Sequence, residues 1–200
     1  MLKHKDLIEP IKDPFVLFKK WYNLACETEI NDPNAMTLST ISNNQPSSRV
    51  VLLKSYDENG FVFYTNSKSN KGKSIKENNN AALNFHWKTQ NRQIRIEGHA
   101  NMVSSEVADT YFKSRSRGSQ IGAWSSNQSN DLSSRDELIE RIKEFEKKYK
   151  DKDIPRPLHW NGYLVIPHLI EFWQEMPFRV HDRVLYYNSD NYWKAKKLYP

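Results

Sequence analysis

Three charged or titratable side chains near the carboxy-terminal end are spaced so that they could share a task. Arg179, His181 and Arg183 stand at positions i, i+2 and i+4. In an extended chain this spacing puts all three side chains on one face. Such a cluster is costly to bury without a partner, so it indicates either a solvated strand face or a site that holds an anion. Trp173, six residues before Arg179, offers a flat ring that could lie along an aromatic ligand.

A second set is Tyr111, Arg115 and Ser119, at i, i+4 and i+8. If one helix runs through all three, a phenol, a guanidinium and a hydroxyl share a face and can donate hydrogen bonds to a phosphate. Gly118 is a position at which such a helix could be interrupted. A coincidence on an exposed surface is the alternative interpretation of this spacing.

Arg49 and Lys54 stand at the two ends of an apolar stretch that favours a strand. Strict alternation places their side chains on opposite faces, so both can meet one ligand only through a bulge or through two subunits. Taken alone, the stretch is better interpreted as a core strand with solvated ends.

Further polar residues suit an anion or a flat heterocycle. Tyr64 and Thr65 end a predicted strand and lead into a turn rich in hydroxyl groups that contains Lys71. A helix that starts there would add free N–H groups to an anion site. Three other side chains could satisfy the polar edge of a heterocycle: Gln93, Gln128 and Ser129. The histidines show no metal-ligand spacing, and no glycine-rich phosphate loop is present.

Composition limits the class of protein. The chain has 200 residues, of which 38% are hydrophobic and 12% aromatic, with a net charge of +6. These values fit one domain over residues 1–200 and an anionic partner, which could be nucleic acid, an acidic membrane or a phosphorylated small molecule. The single cysteine, Cys26, allows no internal disulfide. With no apolar run of about 20 residues and no apolar segment at the amino terminus, we expect a soluble cytoplasmic protein.

The pattern of elements predicts a mainly β fold with added helices. Predicted helices cover 14–28, 69–77, a segment that starts at 104–105, and 135–150. Predicted strands cover 36–42, 48–56, 61–65, 81–87, 93–103, 162–166, 170–174, 184–187 and 192–198. Residues 1–12 are expected to form a loose arm, and 114–130 an ordered functional loop. Many short antiparallel strands favour a β-barrel, and the lack of strand–helix alternation argues against a parallel α/β fold.

Taken together, these motifs resemble the pyridoxamine/pyridoxine 5′-phosphate oxidases. The resemblance runs from Asp13 to Pro200 and is most specific in four segments: 49–54, 63–66, 111–129 and 171–183. It implies an FMN-binding split β-barrel of Greek-key type and an obligate homodimer with two FMN sites at the subunit interface.

The resemblance also implies roles for individual residues. The implied FMN contacts are Arg49, Val50, Val51, Leu52, Tyr64, Thr65, Lys71, Gln93, Gln128, Ser129, Trp173 and Arg183. The implied contacts to the substrate phosphate are Lys54, Tyr111, Arg115 and Ser119. Arg179 and His181 are the implied catalytic pair over the pyridine ring, where we expect them to orient the substituent at C4 and His181 to accept a proton. Asn70 departs from the family pattern, which has a basic residue there, so one charge-assisted contact to FMN is lost unless Lys68 or Lys73 replaces it.

The reaction implied is oxidation of pyridoxamine 5′-phosphate and pyridoxine 5′-phosphate by O₂ to pyridoxal 5′-phosphate, with release of hydrogen peroxide. One alternative is a related split-barrel flavoprotein such as a flavin reductase, against which the set of Tyr111, Arg115 and Ser119 argues. A more remote alternative is a basic nucleic-acid-binding protein, which no recognisable signature supports.

Overall fold

Antiparallel strands dominate the computed structural model, which describes residues 7–189 and 192–200. The α-helices are α1 (Pro14–Thr28), α2 (Asn70–Glu77), α3 (Ser105–Ser114), α4 (Arg117–Ser125) and α5 (Arg135–Lys148). The strands are β1 (Ala35–Ser42), β2 (Gln45–Leu52), β3 (Ser55–Asp57), β4 (Gly60–Asn66), β5 (Asn80–Trp87), β6 (Arg92–Met102), β7 (Trp160–Gln174), β8 (Asp182–Ser189) and β9 (Tyr192–Leu198). A 3₁₀ turn spans Pro177–Arg179.

The sheet runs in the order β2-β1-β5-β6-β7-β4-β3, and β8 and β9 continue from β7. The two ends of this order meet between β2 and β3. There the backbone N–H of Leu53 donates to the carbonyl of Asn34, and the N–H of Lys54 donates to the carbonyl of Val62 in β4, both at 2.8 Å. The sheet therefore curls into a barrel, and β8 and β9 extend beyond it.

Strand β7 organises this arrangement because it has three partners. It pairs with β6 along most of its length, with β4 over its first residues and with β8 over its last residues. The sequence predicted two strands here, but the structure has one, with a bulge opposite at Glu97/Gly98. A Cβ on Gly98 would lie 2.1 Å from the carbonyl oxygen of Ile166, so only glycine fits this crossing.

Helix α1 closes one side of the barrel with an aromatic core. It begins as predicted, since the carboxylate of Asp13 accepts the N–H of Phe15 at 2.8 Å and Pro14 takes the first helical position. Phe18 is fully buried, and its ring centroid lies 4.9 Å from that of Phe61 and 5.4 Å from that of Phe85.

A smaller apolar cluster lies under the remaining helices. Phe112 of α3 and Ile121 of α4 pack there with Tyr149, Ile154 and Trp160. Because Trp160 is the first residue of β7, this cluster fixes α3 and α4 against the start of that strand.

The expected loose arm is fixed in the part that the structure describes. Residues 1–6 lie outside the described residues. The backbone N–H of Ile8 donates to the carboxylate of Asp182 at 2.6 Å, and the ammonium of Lys197 donates to the carbonyl of Ile8 at 2.8 Å. The hydroxyl of Tyr186 bonds to the backbone of Ile11 at 3.0 Å. Residues 7–12 are therefore attached to β8 and β9.

The other predicted helices and strands are found with small shifts of boundary, apart from two differences. The predicted strand 48–56 is divided into β2 and β3, because residues 53–54 turn to join the two edges of the barrel. The predicted loop 114–130 contains a helix, α4. Among the described residues, no helix is both long and apolar enough to span a bilayer.

Candidate functional site

Arg115 lies at a break between two helices. Helix α3 ends at Ser114, Arg115 has extended backbone angles (φ −73°, ψ 151°), and α4 begins at Arg117. The condition that one helix runs through Tyr111, Arg115 and Ser119 is therefore not met. The break falls at Arg115 and Ser116, whereas Gly118 lies inside α4.

No carboxylate among the described residues pairs with the guanidinium of Arg115. It lies over the ring of Trp160, 4.7 Å from the ring centroid. Its Nη1 atom is buried and has no hydrogen-bond partner in the described part of the chain. Burial lowers the pKa of Arg115, while neighbouring Tyr111 raises it. A buried donor of a charged group left unpaired costs about 1–3 kcal/mol, so this atom points to an anion that binds there.

An aromatic stack positions Tyr111 beside this cation. The ring of Tyr64 lies 4.2 Å from that of Tyr111 and 4.9 Å from that of Trp160, with interplanar angles of 15° and 11°. Burial, together with the neighbouring Tyr111, raises the pKa of Tyr64. Tyr64 therefore stays a neutral phenol at physiological pH. Ser119 lies in the first turn of α4, where its hydroxyl pairs with that of Ser116 at 2.9 Å.

Arg156, which sequence reasoning missed, attaches α3 to the base of this group. Its side chain is only 7% exposed and donates to the carboxylate of Asp109 in α3 at 2.6 Å. It also donates to the carbonyl of Trp160 at 2.8 Å. No local pattern marks this residue, because its carboxylate partner lies 47 positions away.

A second cationic group lies where β4 ends and α2 begins. The ammonium of Lys71 and the hydroxyl of Thr65 both donate to the side-chain oxygen of Gln128, at 3.1 and 3.3 Å. Burial lowers the pKa of Lys71, and the charge of Arg49 lowers it further, so the two cations lie close together. Asn70, at the first position of α2, adds no charge to this group.

Arg49 is held in place only by uncharged acceptors. Its guanidinium donates to the carbonyl of Leu38 at 3.1 Å, to the hydroxyl of Thr40 at 2.9 Å and to Ser47. Over residues 7–189 and 192–200, neither Arg49 nor Lys71 has a carboxylate partner. Two cations with hydroxyl and amide groups around them form a donor set that fits a phosphate monoester.

The loop that carries Gln128 and Ser129 is held by a residue of α5. Arg141 donates from Nε to the carbonyl of Ser125 at 2.7 Å and from Nη2 to the side chain of Asn127 at 3.3 Å. Ser129 adopts a left-handed backbone conformation (φ 72°). Arg141 thus fixes the approach of this loop to Lys71, and the sequence analysis did not single out this residue.

Three other predicted residues lie across the sheet in register. Gln93 of β6 pairs with Trp173 of β7, and Trp173 pairs with Arg183 of β8. Their neighbours Ile94 and Phe172 are fully buried, so the three predicted residues face away from the core. Gln93, Trp173 and Arg183 therefore form one row on the outer face.

Glu171 fixes the last member of this row. Its carboxylate, on a residue only 4% exposed, accepts from Nε of Arg183 at 2.7 Å and from Nη1 of Arg95 at 3.0 Å. Arg183 also donates to the carbonyl of Tyr199 at 2.8 Å. The hydrogen bond to Glu171 raises the pKa of Arg183. Glu171 lies in the segment 171–183, but no sequence signal singled it out.

Arg179 and His181 differ from the prediction. They do not share a strand face with Arg183, because Arg179 lies in the 3₁₀ turn with a left-handed backbone (φ 61°) and β8 begins only at Asp182. The ring of His181 lies 4.6 Å from that of Trp173 at an interplanar angle of 43°, so the imidazole contacts the outer row in a tilted arrangement.

Lys54 and the residues of β2 are not brought to the Arg115 group in this chain. Lys54 is exposed and lines a cavity of about 520 Å³ with residues of α1. Val50 and Leu52 are 67% and 38% exposed on β2, an edge strand, whereas Val51 packs against the core. An exposed apolar edge of this kind is a surface that a partner can cover.

The group around Arg115 and the row of Gln93, Trp173 and Arg183 lie at opposite ends of β7. Tyr64, in the first group, pairs with Gly162, and Trp173 lies eleven residues further along the same strand. At about 3.3 Å per residue this path is roughly 35 Å. Within one chain, the group around Arg115 and the row around Trp173 are therefore too far apart to contact one small molecule.

Comparison with known proteins first defines the class. The chain is similar to a solved structure titled a pyridoxamine 5′-phosphate oxidase-related, FMN binding protein from Nostoc punctiforme, with a TM-score of 0.74 over 96% of this chain and all of that one. At 14% identity, this likeness concerns the fold alone. The prediction of a mainly β split barrel is confirmed.

The family follows from closer relatives. Residues 24–149 match the family described as pyridoxamine 5′-phosphate oxidase, and residues 160–200 match the pyridoxine 5′-phosphate oxidase C-terminal dimerisation region. The chain is 49% identical to the pyridoxine/pyridoxamine 5′-phosphate oxidase of Gluconobacter oxydans, over 97% of this chain and 98% of that protein. It is 50% identical to the protein of the same name from Granulibacter bethesdensis, over 94% and 91%.

One solved structure is both close in fold and related in sequence. It is PhzG from Burkholderia lata in complex with tetrahydrophenazine-1-carboxylic acid, with a TM-score of 0.90 and 30% identity over 100% of this chain and 98% of that one. The chain belongs to the pyridoxine/pyridoxamine 5′-phosphate oxidase family, as its motifs indicated. The match to the dimerisation region supports a dimer.

Proposed function

We propose that this protein uses FMN and O₂ to oxidise pyridoxamine 5′-phosphate and pyridoxine 5′-phosphate to pyridoxal 5′-phosphate, with release of hydrogen peroxide. The observation that carries the proposal is the unpaired, buried Nη1 of Arg115, in a site separate from the cationic group of Arg49 and Lys71. Two separate phosphate sites suit a phosphorylated coenzyme and a phosphorylated substrate. Relatives at about half identity carry the name of this activity.

The residues present fit FMN. Arg49 and Lys71 would hold its phosphate, with Thr65, Gln128 and Ser129 beside them. The strand residues Val50, Val51 and Leu52, together with Tyr64, are proposed to line the same site. The row of Gln93, Trp173 and Arg183 would contact the ring system with amide, indole and guanidinium groups.

The substrate is proposed to bind by its phosphate at Arg115, Tyr111 and Ser119. Arg115 supplies a charge-assisted hydrogen bond, and the phenol and hydroxyl supply neutral ones. These contacts are remote from the carbon that reacts, so they position the pyridine ring and contribute equally to the ground state and the transition state. Lys54 remains a contact expected from the resemblance.

The chain's own residues orient the reacting groups. FMN held by these residues would supply the acceptor for a hydride from the carbon attached to C4 of the pyridine ring, with O₂ as the final acceptor of the two electrons. Arg183, whose guanidinium is fixed by Glu171, would place a positive charge near the ring of the cofactor and stabilise negative charge that develops there. His181, whose ring lies beside that of Trp173, and Arg179 would lie next to the C4 substituent.

The geometry further supports a homodimer with active sites between the subunits. The group around Arg115, proposed to bind the substrate phosphate, and the row around Trp173 lie at opposite ends of β7. One small ligand can therefore contact both only if they come from two copies of the chain. Residues 160–200, which match the dimerisation region, contain the whole of β7, β8 and β9. We also propose a cytoplasmic location, which the single free cysteine, Cys26, supports.

The direct test is turnover by the purified protein. We expect that protein loaded with FMN converts pyridoxine 5′-phosphate to an aldehyde and releases hydrogen peroxide in equal amount. Pyridoxine without its phosphate is the matched control and should react poorly at the same concentration. A protein that binds FMN but forms no aldehyde, or that oxidises both compounds equally well, would contradict the proposal.

A further inference from the structure

The segment between β7 and β8 is closed by one imidazole. The backbone N–H of Met176 donates to Nδ1 of His181 at 3.3 Å. Between these residues, Phe178 and Arg179 both hold left-handed backbone angles (φ 60° and 61°). Such angles are unfavourable for a bulky residue and persist only where surrounding contacts hold them. The bond between Met176 and His181 is one of those contacts, and it encloses Arg179.

This hydrogen bond determines where the proton of the imidazole lies. A backbone N–H can only donate, so Nδ1 of His181 is the acceptor and carries no proton. In a neutral imidazole the single proton is then on Nε2. The free nitrogen of the ring is therefore a hydrogen-bond donor. The expectation that His181 accepts a proton from the substrate does not fit this arrangement, because the lone pair of the ring is already in use.

Neither Asp182 nor Glu171 provides the opposite tautomer. A histidine that serves as a base typically donates from Nδ1 to a carboxylate, which leaves a lone pair on Nε2. Asp182, the next residue in the chain, accepts instead from Ile8 and from Lys197, whose ammonium lies 2.7 Å away. Glu171 accepts from Arg183 and Arg95. Both carboxylates are thus occupied by other donors.

We infer that His181 is a hydrogen-bond donor through Nε2 toward the C4 substituent of the substrate, and a positioning residue for Arg179 through Nδ1, rather than a general base. A hydroxyl oxygen or an unprotonated amine nitrogen accepts such a bond, whereas an ammonium group does not. The amine substrate therefore reacts in its neutral form. The identity of the acceptor rests on the proposed function, but the tautomer and the closure of the loop do not.

The tautomer can be read from the wild-type protein. Nitrogen-15 NMR of histidine-labelled protein loaded with FMN, at a pH where the ring is neutral, should show a protonated Nε2 and an unprotonated Nδ1. The signal that disappears in His181→Asn identifies the residue. A ring protonated at Nδ1 would overturn the inference. Because this spectrum requires no turnover, it decides the tautomer even if the proposed activity is absent.

A matched pair of variants separates the two roles. In His181→Asn, the amide oxygen can take the place of Nδ1 and keep the bond to Met176, but no donor remains at the position of Nε2. In His181→Gln, the amide nitrogen can take the place of Nε2, but the bond to Met176 is lost. We expect the amide of Met176 to exchange about 2- to 10-fold faster in the Gln variant and to stay protected in the Asn variant.

Kinetics of pyridoxine 5′-phosphate oxidation give the second readout. We expect the Asn variant to lose roughly tenfold or more in kcat/KM. The Gln variant should retain more activity, with the acidic limb of its pH profile unchanged from that of the wild type. Equal losses in both variants, with disappearance of an acidic limb, would show that His181 acts as a base and would overturn the inference.

Discussion

Replacing Arg115 by methionine tests the phosphate site most sharply. The substitution removes the guanidinium over Trp160 and its unpaired Nη1, while an apolar side chain of similar length keeps the packing. A charge-assisted hydrogen bond contributes about 1.5–3 kcal/mol, so we expect KM for pyridoxine 5′-phosphate to rise about 10- to 150-fold. Since this contact is remote from the reacting carbon, kcat should change little.

The assay compares two substrates and three proteins. Steady-state rates are measured for the wild type and Arg115→Met with pyridoxine 5′-phosphate and with pyridoxine, which lacks the phosphate. The rise in KM should occur with pyridoxine 5′-phosphate and not with pyridoxine. The KM of Arg115→Lys for pyridoxine 5′-phosphate should lie between those of the wild type and Arg115→Met. Removing a buried cation without a partner should also raise the melting temperature of the protein without substrate. A fall in kcat at unchanged KM, or an equal loss with both substrates, would refute the reasoning.

Three further outcomes follow from the structure. Burial and the charge of Arg49 lower the pKa of Lys71. Because the ammonium that binds phosphate is lost as the pH rises through that lowered pKa, FMN affinity should fall over the same range. Fluorescence titration with FMN should show this decrease of affinity with pH in the wild type and not in Lys71→Met. Arg156→Met should destabilise the protein by about 1.5–3 kcal/mol, since it removes the charge-assisted hydrogen bonds of a buried guanidinium to the half-exposed Asp109 and to the carbonyl of Trp160. Thermal unfolding by circular dichroism with an unchanged midpoint would contradict the role assigned to Arg156. Gly98→Ala should lower the free energy of unfolding by about 1–3 kcal/mol through the clash with β7. Gly118→Ala, where a Cβ meets nothing within 4 Å, should be neutral or stabilising in the same measurement.

The elements with local signals were predictable from the sequence. Asp13 followed by Pro14 marks the start of α1, and Ser69 and Ser104 cap α2 and α3. Alternation of apolar residues located most strands, because each has one face on the core. The length of β7 was missed, since Pro167 interrupts the pattern although the strand continues through it.

The site was less predictable because its geometry depends on distant residues. The break after α3 leaves Arg115 over Trp160, 45 positions away, and no local pattern encodes that contact. The 3₁₀ turn at Arg179 likewise depends on a bond that closes back on Met176. The roles assigned to individual residues remain predictions, but the structure brings most of them into three groups: the group around Arg115, the group of Arg49 and Lys71, and the row of Gln93, Trp173 and Arg183. Lys54 lies outside these groups.

Complementation between two variants tests the claim that each site is built from two copies of the chain. Arg115→Met removes the proposed substrate-phosphate contact near the start of β7. Arg179→Met removes a proposed catalytic side chain just after the end of β7. Each variant alone should be nearly inactive at low substrate concentration. When the two are unfolded together and refolded, mixed dimers contain one intact site, so roughly a quarter of wild-type activity should return. Activity no higher than that of the separate variants, in a sample shown to contain mixed dimers, would contradict the account.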